Sequence, residues 1–430
     1  MSGNAQANLA RQYGLMSALV FTEDYTKSPF FYRGYSTYPN HWRETKTITP
    51  DVKEVTYGAT SEFKIPIAFD KLGSIVLAWD QGPLTTTGGT FRRFCDWFAL
   101  ALIEKIEFIF DNTVVFVHFP EKKYLRTQKF VSTEERDNQA ACLFGNLSTT
   151  QRNALSPTTQ EVIFEVPFQW TLAPDRYIAM RALSDTPTIR ITWRRLEQVV
   201  QTDGTAPVSV VNNLRLIANA WHVEAGERNT HVLLTERDHG LVSLMEESIV
   251  NPRHATSIIP AAHFGGGGGA PLSTWAVELK NLKTDIRTLT FMIRKKANMD
   301  PPNLAKNLYY ESSELTNGGV PWVKRFRILS GSNEEITPWV TAKFNTLIEH
   351  NNNFYGPALP GIYFITFALH PMDELNASGS FNMNNVQDPK LELELNNFAV
   401  AAEDLEVTVI QSRYNTVQHV RGSISRQFLF

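Results

Sequence analysis

Cysteine is nearly missing from this sequence: Cys95 and Cys142 are the two in 430 residues. Neither belongs to a Cys-x-x-Cys or a Cys/His cluster, which excludes a structural zinc site and any framework of disulfides. Both are read as reduced, mostly buried thiols, Cys142 on a helix. A basic excess is missing as well. The formal net charge is -3, whereas a chain that grips nucleic acid through its phosphates carries a surplus of Lys and Arg. No direct nucleic-acid contact is therefore expected. No apolar run approaches the ~18 residues of a membrane span. The opening stretch has an apolar patch at residues 14–21, with no basic cluster before it and no small-residue cleavage site after it, so it is not read as a secretory leader. The ten histidines form no His-x-His pair and no His-Glu-x-x-His. The glycine run Gly265 to Gly269 lacks a following Gly-Lys-Ser/Thr and reads as a surface loop. Asp238-His239 reads as an accidental neighbour pair. Glu107, Glu165, Glu278, Glu392 and Glu394 alternate with apolar neighbours, as solvated strand faces do. No catalytic residue, cofactor or metal is assigned, and the chain is not read as an enzyme.

What is present is strand pattern. A chain of 430 residues exceeds what one hydrophobic core usually serves, so two domains are expected. The 27 Phe and 22 Pro favour sheets and turns. Residues 1–55 show no sustained period and are expected to form an extended arm that packs on something else. Phe63, Ile65, Ile67 and Phe69 then alternate with polar partners, with Pro66 marking an edge strand. A buried strand at Ile75 to Trp79 follows, and Trp97 to Leu102 leads into Ile106, Phe108 and Phe110. Asp111-Asn112 is a hairpin turn. Ser132 and Glu135 make a capping box for the one helix expected in this half, with Gly145 as its stop. Val162 to Trp170, Ile189 to Trp193 and Leu214 to His222 are further strands. The charged stretch 226–245 has no period and is placed as a linker between a first domain, 56–225, and a second, 246–430. There Trp275, Val277 and Leu279, then Leu289, Phe291 and Ile293, repeat the style. Basic pairs at Arg92-Arg93, Arg194-Arg195 and Lys324-Arg325, and the triplet Arg294-Lys295-Lys296, are short and acid-balanced. They fit solvated faces or subunit salt links.

The most telling stretch is 361–395. Gly361 to Leu369 is apolar on both faces and is closed by His370-Pro371, as a strand buried on both sides would be. A polar turn leads to Ser378-Gly379-Ser380-Phe381-Asn382, and Leu391, Leu393 and Leu395 alternate with Lys390, Glu392 and Glu394. Gly361, Tyr363, Phe367, Ala368, Leu369, Pro371, Ser378, Gly379 and Asn382 keep step with the G-[IV]-Y-x-x-x-F-A-L-x-P…S-G-x-x-N pattern, with Ala377 in place of its proline. Tyr414, Asn415 and Gly422 match a terminal Y-N…G. In these residues the chain resembles the major capsid proteins of nucleocytoplasmic large DNA viruses. Looser matches lie at Phe30 to Arg33, 96–108, 161–183 and 214–228.

That resemblance implies an all-β fold of two consecutive eight-stranded antiparallel jelly rolls with short helices in loops. It implies a structural protein forming homotrimeric, pseudo-hexameric capsomers of an icosahedral shell, in the virion capsid and assembled in the host cytoplasm. Implied partners are further copies of the chain, neighbouring capsomers, minor capsid and penton proteins, and an internal membrane indirectly. Gly361, Tyr363, Phe367, Pro371, Ser378, Gly379, Asn382, Tyr414, Asn415 and Gly422 would be structural motif residues. Tyr124, Phe130, Tyr309, Tyr310, Trp322 and Trp339 lie in long insertions, and some of them are expected to meet across a three-fold axis. Composition and periodicity alone reach only two β-sandwiches without a visible active site. They leave open a two-domain carbohydrate-binding protein, a carbohydrate-active enzyme with two facing carboxylates, and a minor or penton protein of the same virion. The sequons at Asn146 and Asn376 are read as chance.

Overall fold

The computed structural model describes residues 19–21, 35–37, 41–52, 55–129, 131–168, 170, 177–236, 240–264, 274–280, 285–300, 304, 309–310, 322–354, 361–373, 378–396 and 403–426. The glycine run, Asp238-His239, Phe30 to Arg33, Phe130, Asn376 and Ala377 lie outside them. Eight principal strands build the first half: β1 (His41–Ile48), β2 (Thr60–Lys64), β3 (Lys71–Gln81), β4 (Ile103–Phe110), β5 (Thr113–His118), β6 (Gln160–Val166), β7 (Thr188–Trp193) and β8 (Val211–Val223). Eight more build the second: β9 (Leu241–Val250), β10 (Thr274–Glu278), β11 (Asp285–Lys295), β12 (Val323–Leu329), β13 (Val340–Thr341), β14 (Ile362–Thr366), β15 (Lys390–Leu395) and β16 (Leu405–Val420).

The order of pairing is the same twice. The first half has antiparallel paths β6-β3-β8-β1 and β2-β7-β4-β5, and the second β14-β11-β16-β9 and β10-β15-β12-β13. Counted from the start of each half, strands 6-3-8-1 face strands 2-7-4-5, which is the jelly-roll arrangement of two packed antiparallel sheets. The alternation read from sequence is what the sheets bury. Val162, Phe164 and Val166 of β6 and Ile189, Ile191 and Trp193 of β7 point inward, as do Leu391 and Leu393 of β15. Phe168 and Trp170 are also buried, but past the end of β6, where they stack at 4.6 Å. The hairpin at Asp111 and Asn112 carries φ of 47° and 58°, as a two-residue turn between right-twisted strands requires. Pro66 lies just beyond β2, which is indeed an edge strand.

Several elements depart from expectation. Residues 41–48, assigned to the arm, form β1 and pair with β8 from His41↔Val223 to Ile48↔Leu216. Among the described side chains of this edge strand only Ile48 enters the core, so it carries no apolar period to read. Among the described residues the first half up to β8 holds four α-helices where one was expected: the five-residue Phe98–Leu102, then α1 (Pro120–Lys129), α2 (Thr133–Leu143) and α3 (Thr149–Leu155). Ser132 caps α2 by accepting from Glu135 N at 3.3 Å. The left-handed residue at its end is Phe144, with φ of 57°, not Gly145. Gly145 is required for another reason: a Cβ there would lie 2.4 Å from the Trp97 ring. Trp97 itself precedes a helical turn, Phe98–Leu102, rather than a strand. The stretch assigned as linker contains helix α4 (Ala225–Glu236) and the start of β9. Instead of an apolar stripe, polar bonds hold α4. Arg228 donates to both carboxylate oxygens of buried Asp70, at 2.6 and 3.0 Å.

Candidate functional site

Two places concentrate the chain's unusual residues: the motif stretch in the second sandwich and the seam between the sandwiches. Gly361 opens β14 with φ of 78°. Behind it Tyr363 is 1% exposed, with ring centroids 5.2 Å from Phe291 and 5.6 Å from Phe326. The buried run ends sooner than its sequence suggests. β14 stops at Thr366, and Leu369 is 81% exposed. Phe367 turns back to stack on Phe381 at 5.2 Å. Ser378 closes the intervening turn: its carbonyl accepts from Leu369 N at 3.0 Å and its hydroxyl bonds both His370 N and His370 O at 3.1 Å. Gly379, with φ of 124°, brings backbone so close that a Cβ would sit 3.2 Å from Phe367 O. Asn382 pairs with Asp285 of β11 and accepts from Asn384 N at 2.9 Å. Pro371 is buried just past the strand.

The two terminal motif residues tie this turn to β16. Tyr414 Oη accepts from Ser378 N at 3.0 Å. Asn415 donates to Glu247 at 3.1 Å, where Arg413 donates at 2.7 Å and Arg426 also pairs. Arg287, 1% exposed, ion-pairs with Glu246 and donates to His370 O at 2.9 Å and to Asp373 O. Lys122 of α1 reaches the same Glu246 at 3.6 Å. Gly422 belongs to the seam. Its carbonyl accepts from Ser184 N at 2.8 Å and Ser184 Oγ at 3.0 Å, and with φ of 79° a Cβ would lie 3.0 Å from Ser184 Cβ. Ten scattered motif positions thus reduce to a brace around β14 and one point of contact between halves.

The seam is where three of the aromatic insertion residues, Tyr124, Tyr309 and Tyr310, go, while Trp322 joins the core of the second sandwich. Tyr124, Tyr309, Tyr310 and Trp322 are buried within the single chain and so are not free to meet across an axis between chains. Tyr124 stacks on Tyr310 at 4.4 Å and takes the edge of Trp97 at 5.4 Å. Trp339 is half-buried under Arg325 and Arg327, at 4.5 and 4.4 Å. Arg194 donates to the carbonyls of Ala101 and Ile103 at 2.8 Å and to Glu121 at 2.9 Å, beneath the Tyr309 ring at 4.6 Å. Arg294 lies on that ring's other neighbours, donating to Tyr309 O at 3.1 Å and Thr408 Oγ1 at 2.8 Å. The salt links of these two clusters lie inside the chain, Arg194 with Glu121, Lys295 with Glu403 and Lys296 with Asp404. Arg253 joins Asp300 at 2.6 Å and Glu406 at 2.8 Å, across a cavity of about 310 Å³ between the sandwiches. Burial raises the pKa of Glu406 against the pull of Arg253 and Arg294. Glu107 and Glu394, expected on wet faces, are 7% and 9% exposed, and each is neutralised by cations, Lys105 for the first and Lys324 with Arg325 for the second. Among the described residues no group of three or more His, Cys, Asp or Glu could hold a metal, and no helix is long and apolar enough to cross a membrane.

Set beside solved structures, this arrangement is familiar along nearly its whole length. VP54 of PBCV-1, fitted as a crystal structure into a cryo-EM reconstruction of the virophage Sputnik, aligns over 94% of this chain and 100% of its own, with 13% identity and a TM-score of 0.68. The Faustovirus major capsid protein aligns over 92% of this chain and 93% of its own, with 11% identity and a TM-score of 0.64. The chain has the double jelly-roll fold of these capsid proteins. A double jelly roll from the cryo-EM structure of the Sputnik virophage covers 95% of this chain and 93% of its own at 8% identity, with a TM-score of 0.60. No protein-family model matches the sequence, and no curated protein is similar to it in sequence. The double jelly rolls that it matches are structural proteins of viral shells, not enzymes. The signals that sequence reading missed are those of the seam. Arg194 and Arg294 are single residues in short basic clusters, and nothing local marks them as buried.

Proposed function

We propose that this chain is the major capsid protein of a large double-stranded DNA virus, working as a homotrimer. The observation that carries the reading is the repetition of one eight-strand order twice in a single chain, with an ion-paired aromatic seam between the copies. Three such chains supply six like sandwiches, a pseudo-hexagonal block that tiles a flat lattice. Closed rotational symmetry then uses one heterologous contact three times. The likeness of fold to viral major capsid proteins supports this. In this reading the first domain spans 56–225 with β1 added and the second 246–430 with β9 added; ahead of β1 the described residues 19–21 and 35–37 pair antiparallel with each other, and the rest of the expected arm lies outside the described residues. The braced turn from Gly361 to Asn382, with Tyr414, Asn415 and Gly422, keeps the second sandwich and seam rigid. The protein would sit in the virion shell after assembly in the host cytoplasm. It would contact neighbouring capsomers and minor and penton proteins, meet an internal membrane only indirectly, and make no direct contact with the genome.

Light scattering of the purified protein tests the reading. A threefold multiple of 48.7 kDa supports it, and an obligate interface of this kind should bury over ~2,000 Å² per pair. A stable monomer at micromolar concentration, with no lattice patches in electron micrographs, counts against it.

A further inference from the structure

We infer that the cavity between the two sandwiches binds a neutral vicinal diol, a free polyol the size of one sugar ring. The inference goes beyond the capsomer reading and stands whatever the number of copies in the assembly. The cavity takes its walls from both halves: Phe119, Glu121 of α1 and Arg194 from the first, Arg253, Arg294 and Glu406 from the second. At about 310 Å³ it stands at the lower end of small-molecule sites, about 300–1,000 Å³, which collect at domain boundaries.

Arg294 of β11 and Glu406 of β16 are register partners. Their side chains therefore leave the sheet on the same side, with Cβ atoms about 4.5–5.5 Å apart. Both are buried, at 3% and 5% exposure. Arg294 donates through Nη1 to Tyr309 O at 3.1 Å and through Nη2 to Thr408 Oγ1 at 2.8 Å. Its Nε–H has no hydrogen-bond partner among the described residues, and neither has Glu406 Oε2. That oxygen lies 2.8 Å from Arg253 Nη2, close enough for an ion pair but without the alignment of a hydrogen bond. A donor and an acceptor thus stand side by side on the cavity wall, each costly to bury unanswered. Hydroxyls on neighbouring carbons answer both at once. One oxygen accepts from Nε–H, and the other O–H donates to the carboxylate.

The charges on the wall fix the charge of the ligand. Arg194 pairs with Glu121 at 2.9 Å and Arg253 with Asp300 at 2.6 Å, which leaves Arg294 beside Glu406. With Glu406 ionised these six cancel, and a charged ligand would bring a charge with no partner into a poorly hydrated space. A further carboxylate on the wall, Glu104, is exposed to solvent and screened there. Phe119, Val250 and Met299 give the wall an apolar side, against which the C–H edges of a ring can pack.

Saturation-transfer NMR on the full chain tests this, with glucose, myo-inositol, trans-1,2-cyclohexanediol and cyclohexanol as probes. At least one of the three diols should give a saturable signal at millimolar concentration, and cyclohexanol, with its single hydroxyl, none. Glu406→Gln keeps the shape of the side chain and should weaken the same probe about tenfold or more, because an amide cannot turn its oxygen to both Arg253 and the diol. Arg294→Lys removes the Nε–H and should do likewise, with circular dichroism reporting that each variant is folded. Should Arg294→Lys fail to fold, Glu406→Gln decides alone. Silence from all three diols would leave water as the only occupant and overturn the inference. So would unchanged binding in Glu406→Gln, inorganic phosphate binding in place of the diols, or maltose binding where glucose does not.

Discussion

His118 ends β5 with 1% exposure and its ring 6.1 Å from Phe164. Burial, helped by the charges of Lys122, Lys123 and Arg126, lowers its pKa well below 6.5. The folded state therefore holds it neutral while the unfolded chain takes up a proton below that value. Its contribution is fully present above about pH 6.5 and is lost as pH falls towards the folded pKa. His263 and His419 are shifted the same way by burial. Glu406 acts in the opposite sense, since a raised carboxyl favours the folded state at lower pH. Replacing His118 with Phe should flatten the fall in melting temperature between pH 7 and 5, the difference from wild type isolating this one residue. Equal slopes would remove His118 from the account. The two thiols also separate. Cys95 is buried, with its pKa pushed up by burial to about 12, whereas Cys142 is exposed on α2, contrary to the expectation of two buried thiols. Iodoacetamide at neutral pH should add one adduct to the native protein and two to the unfolded one, as read by intact mass.

At the scale of the element, close approach decides more than propensity. Gly145 lies where a methyl group would enter the Trp97 ring. Gly145→Ala should cost about 1–3 kcal/mol through overpacking, seen as a lower midpoint in urea at unchanged slope. Asn345 is the clearer case, because its amide stands in for a strand along the free edge of β14. Asn345→Ala leaves a buried N–H and C=O of Phe364 unanswered, at about 1–3 kcal/mol for each unsatisfied group. Hydrogen exchange at Phe364 should quicken selectively. Uniform quickening across β14 and β11 would mean that the whole helical stretch carrying Asn345, not one amide, was holding the edge.

For the molecule as a whole, the seam sets cooperativity. Tyr310 is 4% exposed and stacks on Tyr124 from the other half, beside the Arg194–Glu121 pair at 2.9 Å. Truncating a buried aromatic residue to Ala costs about 3–5 kcal/mol, and here that cost falls on the contact between sandwiches. Wild type should melt in one calorimetric transition and Tyr310→Ala in two, the first and second sandwich unfolding separately. A single transition moved bodily downwards would show that coupling runs elsewhere, through Ser184 and Gly422 or through Arg228 and Asp70.

Strand alternation in Val162 to Val166, Ile189 to Trp193 and Leu391 to Leu395 was legible because a period of two is local: each side chain's face follows from its neighbours in the chain. The hairpin at Asp111-Asn112 and the cap at Ser132 were legible for the same reason, and the motif from Gly361 to Asn382 carried the fold class. What sequence could not carry was any feature decided by a distant partner. β1 is polar because it is an edge strand supported by β8, and α4 lacks an apolar stripe because Arg228 is held by Asp70, 158 residues away. Leu369 continues an apolar run yet lies in water, since Ser378 has already turned the backbone. Tyr124 and Tyr310 looked like surface aromatics awaiting another chain and instead close the seam of their own. Local order is written in the spacing of apolar residues, whereas which apolar surfaces meet is settled only when two sandwiches of like topology are brought face to face.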